Sequence, residues 1–340
     1  MKTKQITVLL LAVLFPLLLN SCDDQSGHRA PGSTHKLTIF KSDGTDPKVI
    51  WQDGANNVNL VGDYTFLPNS NKILYSSQTG GATEENFGLY LMNPDGKGSY
   101  ALLGNDHKIN WFSSSPDNKK MLISASDGIY ILDAGGEITL KKIQADLQDV
   151  RRASFSEDMT RIVFQQQYDI KLMDASGSNI RTIKTANDST SYLFPGFVFH
   201  DSLIVYLERV KAGLSYIKSI SLESGIEKNY YTIGLSETNP FYTFYDGKII
   251  YQYGGPEGAI GEIDLVSYWL GARGIAAAGD ISISNDRKKV IFRNGSSVFM
   301  VNIDGSDKKL LFSVDVSEHI GKPVLSPDGQ YILCSGILYH

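Results

Sequence analysis

The chain has 340 residues, 42% of them hydrophobic, and its 32 basic and 37 acidic side chains give a formal net charge of −5. This acidic balance argues against nucleic acid as a partner, because nucleic-acid binding depends on clustered basic residues. There are two cysteines, Cys22 and Cys334. A disulfide-rich scaffold is therefore excluded, and the hydrophobic core must supply the stability.

The N-terminus has the pattern of a signal peptide. Lys2 and Lys4 precede an apolar run over residues 6–19, which contains Pro16. A membrane-spanning helix needs about 20 apolar residues, so this shorter run predicts a targeting segment over residues 1–21 rather than a span.

The end of that segment, Leu19-Asn20-Ser21-Cys22, resembles the lipobox of bacterial lipoproteins. The resemblance implies that Cys22 carries lipid and is the first residue of the mature chain; an ordinary signal peptide that happens to contain a cysteine is the alternative. We expect a cell-envelope protein held at the outer membrane by its lipid, with no other membrane contact. Asp23 and Asp24 resemble a surface-export signal in some bacteria, and an aspartate directly after the cysteine resembles an inner-membrane retention signal in others. The sequence therefore leaves open which of the two membranes holds the protein.

Residues 22–34 are polar, contain glycine and proline, and show no hydrophobic periodicity. This composition predicts a flexible tether with an average span of about 20 Å. The folded part is predicted over residues 35–340.

From there to the C-terminus the chain repeats. An aspartate or asparagine recurs in a tight turn at intervals of 48, 41, 43, 45, 40 and 42 residues: Asn69, Asp117, Asp158, Asp201, Asp246, Asp286 and Asp328. An apolar triplet such as Ile162-Val163-Phe164 follows each turn. A period in the forties made of short strands is typical of a β-propeller with four strands per repeat.

The second full repeat shows the four strands most clearly, over residues 109–114, 121–124, 128–133 and 138–143. Proline and aspartate favour a tight turn between the first and second strands, and glycine favours a left-handed conformation in the turn between the third and fourth strands. That glycine recurs at Gly44, Gly96, Gly136, Gly177, Gly225 and Gly305. The fifth repeat has Ser267 instead, so its turn departs from this pattern.

Several segments resemble the repeat of the TolB-like β-propellers: Ser326-Pro327-Asp328-Gly329, Ser115-Pro116-Asp117, Leu89-Tyr90-Leu91-Met92-Asn93 and Ile170-Lys171-Leu172-Met173-Asp174. The resemblance covers residues 37–339. We therefore predict an all-β, seven-bladed β-propeller of four-stranded antiparallel blades. Segments 35–41 and 47–51 would complete a blade with 323–325 and 331–335 and close the ring. Residues 336–340 compete for one strand position in that blade.

Alternating strand directions place the loops after the second and fourth strands on one face, where the long segments 76–88, 207–215 and 252–261 lie. Loops gathered at one end of a rigid scaffold are the usual place for binding. The ligand-binding candidates on that face are His107, Trp111, Arg151, Arg152, Gln165, Gln167, Tyr253, Arg273, Arg293 and His319. Each also has a plain explanation, as a solvated loop residue, a surface histidine, an exposed strand end or, for Tyr253, an aromatic side chain packed between blades.

The sequence contains no GxSxG, HExxH, paired CxxC, GxxxxGK or GxGxxG motif. Cys334 ends an apolar run and is expected in the core. We therefore expect no cofactor and a binding or scaffold module for a protein, peptide or glycan. The alternative is a carbohydrate-active enzyme similar to a polysaccharide lyase, with a metal in the channel near His107, Gln165, Gln167 and His319.

Overall fold

The computed structural model describes residues 33–53, 60–78, 87–104, 106–144, 146–198, 200–211, 213–233, 242–245, 248–253, 259–264, 270–276, 281–284, 286, 288–315 and 317–339. Between residues 242 and 276 the description covers the strands but not their side chains. Every regular element in the described part of the chain is a β-strand. The prediction of an all-β fold is confirmed.

The chain begins with a hairpin of β1 (Ser33–Lys41) and β2 (Lys48–Gln52). Antiparallel four-stranded sheets follow, as predicted, and each is built from consecutive strands. Sheet 1 has β3 (Leu60–Phe66), β4 (Ile73–Gln78), β5 (Phe87–Met92) and β6 (Tyr100–Leu103). Sheet 2 has β7 (Ile109–Ser114), β8 (Lys120–Ala125), β9 (Gly128–Asp133) and β10 (Thr139–Gln144). Sheet 3 has β11 (Val150–Phe155), β12 (Arg161–Gln166), β13 (Asp169–Asp174) and β14 (Arg181–Lys184).

The next three sheets have the same order. Sheet 4 has β15 (Thr190–Val198), β16 (Leu203–Val210), β17 (Ser215–Ser221) and β18 (Glu227–Ile233). Sheet 5 has β19 (Tyr242–Tyr245), β20 (Lys248–Tyr253), β21 (Ala259–Asp264) and β22 (Leu270–Ala276). Sheet 6 has β23 (Ile281–Ile283), β24 (Lys289–Asn294), β25 (Ser297–Asn302) and β26 (Lys309–Ser313).

A last sheet, called here the terminal sheet, combines both ends of the described chain. It contains β27 (Glu318–Ile320), β28 (Val324–Leu325) and β29 (Tyr331–Tyr339), and β29 pairs with β1 along its whole length. Residues 336–339 continue β29 and do not form a separate strand. Ser33 and Thr34, expected in the tether, pair with Tyr339 and Leu338 because the ladder extends beyond the predicted boundary.

The first strands of neighbouring sheets lie side by side. In sequence order β3 contacts β7, β7 contacts β11, β11 contacts β15 and β15 contacts β19; β28 contacts both β23 and β3. The first strand of each sheet is therefore its inner strand, and sheets 6, terminal, 1, 2, 3, 4 and 5 follow one another in space.

The core lies between adjacent sheets, which explains why the triplets are continuously apolar. In β8, Met121 and Ile123 pack in one cluster with residues of sheet 1, whereas Leu122 packs in another with residues of sheet 3. A strand buried on both faces reads as an unbroken apolar run. Cys334 is 2% exposed in such a cluster, and burial raises the pKa of its thiol, as expected for a packing residue.

The turns after the inner strands confirm the predicted capping role of aspartate. In sheet 3, Ser156 Oγ donates to Asp158 Oδ1 (2.7 Å), and Thr160 donates to the same oxygen through its amide (2.9 Å) and its hydroxyl (2.7 Å). These hydrogen bonds, chiefly the one from Ser156, lower the pKa of Asp158 to about 2. Serine and aspartate repeat this arrangement at Asp117, Asp286 and Asp328. Asp246 lies outside the described residues.

Asp201 departs from the pattern because it caps the neighbouring turn. It is 6% exposed, and its carboxylate accepts hydrogen bonds from the amides of Glu157 (2.7 Å) and Asp158 (3.1 Å). Asn71 makes a similar link between sheets, donating to Asp328 (2.6 Å). The face that carries these turns is thus held together by bonds between sheets.

Two expectations about the connections need correction. Gly136 is not in the left-handed region, although Gly44, Gly96, Gly177, Gly225 and Gly305 are; in its turn the amide of Gly135 donates to Asp133 (3.0 Å) instead. Residues 207–215 do not form a long irregular loop. Strand β16 runs on to Val210, and a short turn with Gly213 at φ 90° leads into β17. Ser267 lies outside the described residues.

Candidate functional site

Four inner strands carry a β-bulge at the same place. The register shifts between Val61 and Tyr64, Ile109 and Trp111, Arg151 and Ser154, and Leu193 and Gly196. In each inner strand, one residue pairs with the first residue of the apolar triplet. The residue three positions before it lies near the bulge, and we call this repeated position the bulge ring. In the described residues it is occupied by Asp63, Trp111, Arg152, Phe194 and, in the terminal sheet, Lys322.

The bulge ring is strained in two sheets. Arg152 has φ 47° and Phe194 has φ 56°. Side chains of this size rarely occupy the left-handed region, and each such residue costs about 1–3 kcal/mol. Bulges redirect side chains and are frequent next to functional sites. The surrounding structure must hold these two residues in place.

Polar side chains at the ends of the second strands of sheets 2 and 3 provide that support. The residue after the triplet is Ser124 in sheet 2 and Gln165 in sheet 3. The amide of Ala153 donates to Ser124 Oγ (3.0 Å), and the amide of Phe194 donates to Gln165 Oε1 (3.2 Å). In both cases a buried polar group of one sheet satisfies the bulged backbone of the next.

The result is a stack that crosses three inner strands. The Arg152 guanidinium carbon lies 4.0 Å from the ring centre of Trp111 and 4.0 Å from that of Phe194. Lys322 Nζ lies 5.0 Å from the Trp111 ring. Cation–π contacts of this kind contribute about 0.5–2 kcal/mol each. All four side chains are half-buried, so the stack is ordered while part of it faces solvent.

The structure separates three other candidates in sheet 3 from that stack. Gln165 was expected in the channel or at an exposed strand end, but it is 1% exposed, and its Nε2 donates to the carbonyl of Gln167 (2.6 Å). Gln167 forms the following turn at φ 53°. Arg151 is exposed and its Nε donates to Asp149 (3.1 Å). Gln165 and Gln167 therefore support the site, and Arg151 is a solvated ion pair.

His107 belongs to a second cluster, between the loop before β7 and the turn after β8. Its Nδ1 lies 3.1 Å from Asp127 Oδ1, and Tyr130 donates to the other carboxylate oxygen (2.7 Å). Partial burial opposes ionisation of Asp127, but the hydrogen bonds from Lys142 and Tyr130 outweigh it and lower the pKa of that carboxyl. The aspartate is thus a fixed negative charge that orients the imidazole.

The remaining candidates lie elsewhere. Arg293, in β24, is 9% exposed. His319 lies in β27 opposite Ile337. Tyr253 ends β20, and Arg273 lies within β22 rather than in a loop; their side chains are outside the description. The structure thus brings Trp111 and Arg152 together and distributes the others around the sheets.

Sequence reasoning missed Phe194 and Lys322, which complete the stack. The signal was present, because counting back from each triplet would have put both residues at the position of Trp111 and Arg152.

The chain matches no protein-family profile and no curated protein sequence. Its fold does match solved structures. A protein assigned as TolB from Agrobacterium tumefaciens has a TM-score of 0.51 and 16% identity, over 91% of this chain and 99% of that one. TolB from Acinetobacter baumannii has a TM-score of 0.50 and 16% identity, over 78% of this chain and 63% of that one.

A puromycin-hydrolysing peptidase from Mycobacterium tuberculosis has a TM-score of 0.58 and 13% identity, over 86% of this chain and 55% of that one. The chain therefore spans less than two thirds of the TolB from Acinetobacter baumannii and about half of the peptidase. Likeness at these identities defines the fold: the chain has the fold of the TolB-like β-propellers.

Two features are absent from the described residues. No three His, Cys, Asp or Glu side chains in that part of the chain lie together as a metal site would require. No helix there has the length and apolar character needed to cross a membrane.

Proposed function

We propose that this chain is a lipid-anchored binding module of the bacterial cell envelope, which captures a protein or peptide through the bulge ring. It is attached to the outer membrane through Cys22, and a tether that ends where β1 begins, at Ser33, holds the propeller clear of the bilayer. The propeller has seven blades, the terminal sheet being the seventh. Pairing of β1 with β29, and the contacts of β28 with β23 and β3, support this closure.

The observation that carries the proposed binding function is the stack of Trp111, Arg152 and Phe194. Tryptophan and arginine are the residues most enriched among those that dominate protein interfaces. Here an arginine is held between two aromatic rings at 4.0 Å from each, on backbone that would not adopt this shape without support. A preformed, half-buried group of this kind loses little entropy on binding.

The alternative of a metal-dependent lyase has less support. His107 is oriented by Asp127, and the oxygen of the Gln165 carboxamide accepts from a backbone amide while its nitrogen donates to a backbone carbonyl. Both candidate ligands therefore have structural partners. Binding of a protein partner requires no change in these interactions of His107 and Gln165.

Photocross-linking in intact cells tests this proposal. A photoreactive phenylalanine analogue at Phe194 or Lys322 is expected to cross-link to one discrete partner, identified by mass spectrometry. The same analogue at Glu157, on the face of the linked turns, is the matched control and should give no such product. Equal products from both faces, or none from the ring positions, would contradict the proposal.

A further inference from the structure

Strand β1 starts at the end of the terminal sheet that lies away from the capped turn of that sheet. The capped turn, which contains Asp328, leads into β29, and β29 runs from there to Tyr339. Ser33, the first residue of β1, pairs with Tyr339, whereas Lys41, the last residue, pairs with Tyr331 next to the turn. The chain therefore enters β1 on the face opposite to the capped turns.

The bulge ring lies towards that same end of the inner strands. Arg152 is the third residue of β11, and Phe155, the last residue of the strand, leads into the capped turn of Asp158. The bulges of the other inner strands lie at the corresponding place. We call the face that carries Ser33 and the bulge ring the ring face, and the face of the capped turns the turn face.

The tether from Cys22 to Ser33 is short compared with the propeller. Ser33 follows Cys22 by 11 residues, so the tether spans at most about 40 Å when fully extended and about 20 Å on average. Strand β1 has nine residues and is about 30 Å long. If the turn face pointed at the bilayer, the tether would have to pass the whole height of β1 before it reached lipid, and that distance exceeds its average span. With the ring face towards the bilayer, the tether leads directly to it.

The stack is recessed below the ends of strands in two sheets that flank it. In the terminal sheet the bulge ring lies level with Ser335, and β29 continues four residues beyond, to Tyr339. In sheet 4 it lies level with Leu207, and β16 continues three residues beyond, to Val210. The second strands of sheets 2 and 3 end only one residue past this level. The two longer strands therefore rise about 10–13 Å above the bulge ring. A flat lipid surface would meet these strand ends first, whereas a protruding protein segment fits between them.

We propose that the ring face is turned towards the membrane that holds Cys22, and that the partner captured there is the extramembrane segment of a protein held in the same membrane. The anchor at Cys22 and capture by the stack are taken from the proposed function, on which this orientation rests. A folded domain of about 100 residues has a radius of gyration of about 13 Å and is about 30 Å across. Such a domain is wider than the average gap of about 20 Å that the tether leaves, whereas a segment that rises from the bilayer is already inside that gap.

Energy transfer from a dye on the protein to acceptor-labelled lipids measures the orientation. Cys334 is 2% exposed and Cys22 would carry the lipid, so a single added cysteine takes the dye. Lys211→Cys and Glu223→Cys place it in exposed turns at the two ends of β17, on the ring face and the turn face respectively. The lipidated full-length protein is reconstituted in vesicles of phosphatidylethanolamine and phosphatidylglycerol. We expect more efficient transfer from Lys211→Cys, because the two dyes differ in height by roughly 25 Å.

A longer tether is the control for the cause of this difference. An insertion of about 20 glycine and serine residues after Asp24 lets either face turn to the bilayer, so the two efficiencies should approach each other. Equal transfer from both dyes with the natural tether, greater transfer from Glu223→Cys, or a difference that the insertion leaves unchanged would overturn the orientation. No transfer from either dye would show that the protein is not held at the vesicle, and would overturn the anchor of the proposed function as well.

The identity of the protein cross-linked at Phe194 tests the partner class separately. We expect it to have a membrane-spanning segment or a lipid anchor of its own and to fractionate with the same membrane. A soluble protein would overturn the inference while leaving capture by the stack in place. A product that contains lipid alone would overturn both, because the stack would then lie against the bilayer itself.

Discussion

Replacing Gly44 with alanine should strongly destabilise the protein. Gly44 lies at φ 88° in the turn between β1 and β2, and a Cβ there would lie 2.2 Å from the carbonyl oxygen of Leu311 in β26. The neighbour is backbone, so it cannot move aside as a flexible side chain would. Left-handed strain of about 1–2 kcal/mol combines with overpacking of about 1–3 kcal/mol.

Gly225 is the matched control. It also has a positive φ, of 69°, but no atom lies within 4 Å of where its Cβ would be. Gly225→Ala should therefore show the strain alone. Denaturant unfolding of both variants measures the difference, and we expect Gly44→Ala to lose about 2 kcal/mol more than Gly225→Ala. Equal losses in the free energy of unfolding would mean that the turn between β1 and β2 does not pack against Leu311 of β26.

The second large effect is expected for Gln165→Leu. The corresponding residue of sheet 4 is Leu207, so the fold accepts a leucine side chain at this position of the second strand. In sheet 3, however, the change leaves the amide of Phe194 and the carbonyl of Gln167 without their side-chain partner. An amide left unpaired away from water costs about 1–3 kcal/mol, and we expect the loss to come chiefly from Phe194, because Gln167 is exposed and water can reach its carbonyl.

Gln166→Leu is the control for that variant. Gln166 is the next residue of β12, and its Nε2 donates to the carbonyl of Gln148 (3.1 Å) in an exposed hydrogen bond. Its Oε1 accepts a hydrogen bond from Lys171 Nζ (2.7 Å). Water can replace both partners, so we expect a loss of about 0.5 kcal/mol in the free energy of unfolding. If Gln165→Leu were as stable as Gln166→Leu, the hydrogen bonds of Gln165 would not be what holds the bulge.

The repeat itself could be predicted because its signals are local. An apolar triplet buried on both faces, a Ser and Asp that cap the same turn, and a glycine at positive φ each act within a few residues. Ser156, Asp158 and Gly177 all do in the structure what their residue types favour. Pairing of β1 with β29 was also readable, because the incomplete units at the two ends are complementary.

The site was only partly predictable because it depends on contacts between repeats. A bulge adds a residue to an inner strand, and the alternation of side chains does not reveal where it falls. Trp111 and Arg152 were singled out as polar or aromatic residues near a loop, whereas Phe194 became visible only once its φ of 56° and its contact with Arg152 were known. Gln165 was among the predicted candidates, but in the structure its side chain supports the backbone of the next sheet.

Binding of the partner by the stack around Arg152 is tested most directly by an equilibrium affinity. The affinity is measured between the partner that cross-links at Phe194 and the Arg152→Ala protein. Arg181→Ala, on an exposed outer strand, is the matched control. We predict that Arg152→Ala weakens binding about 30-fold or more, as expected for a residue that dominates an interface, while Arg181→Ala binds normally. Affinities of both variants within about twofold of the unsubstituted protein would contradict the claim.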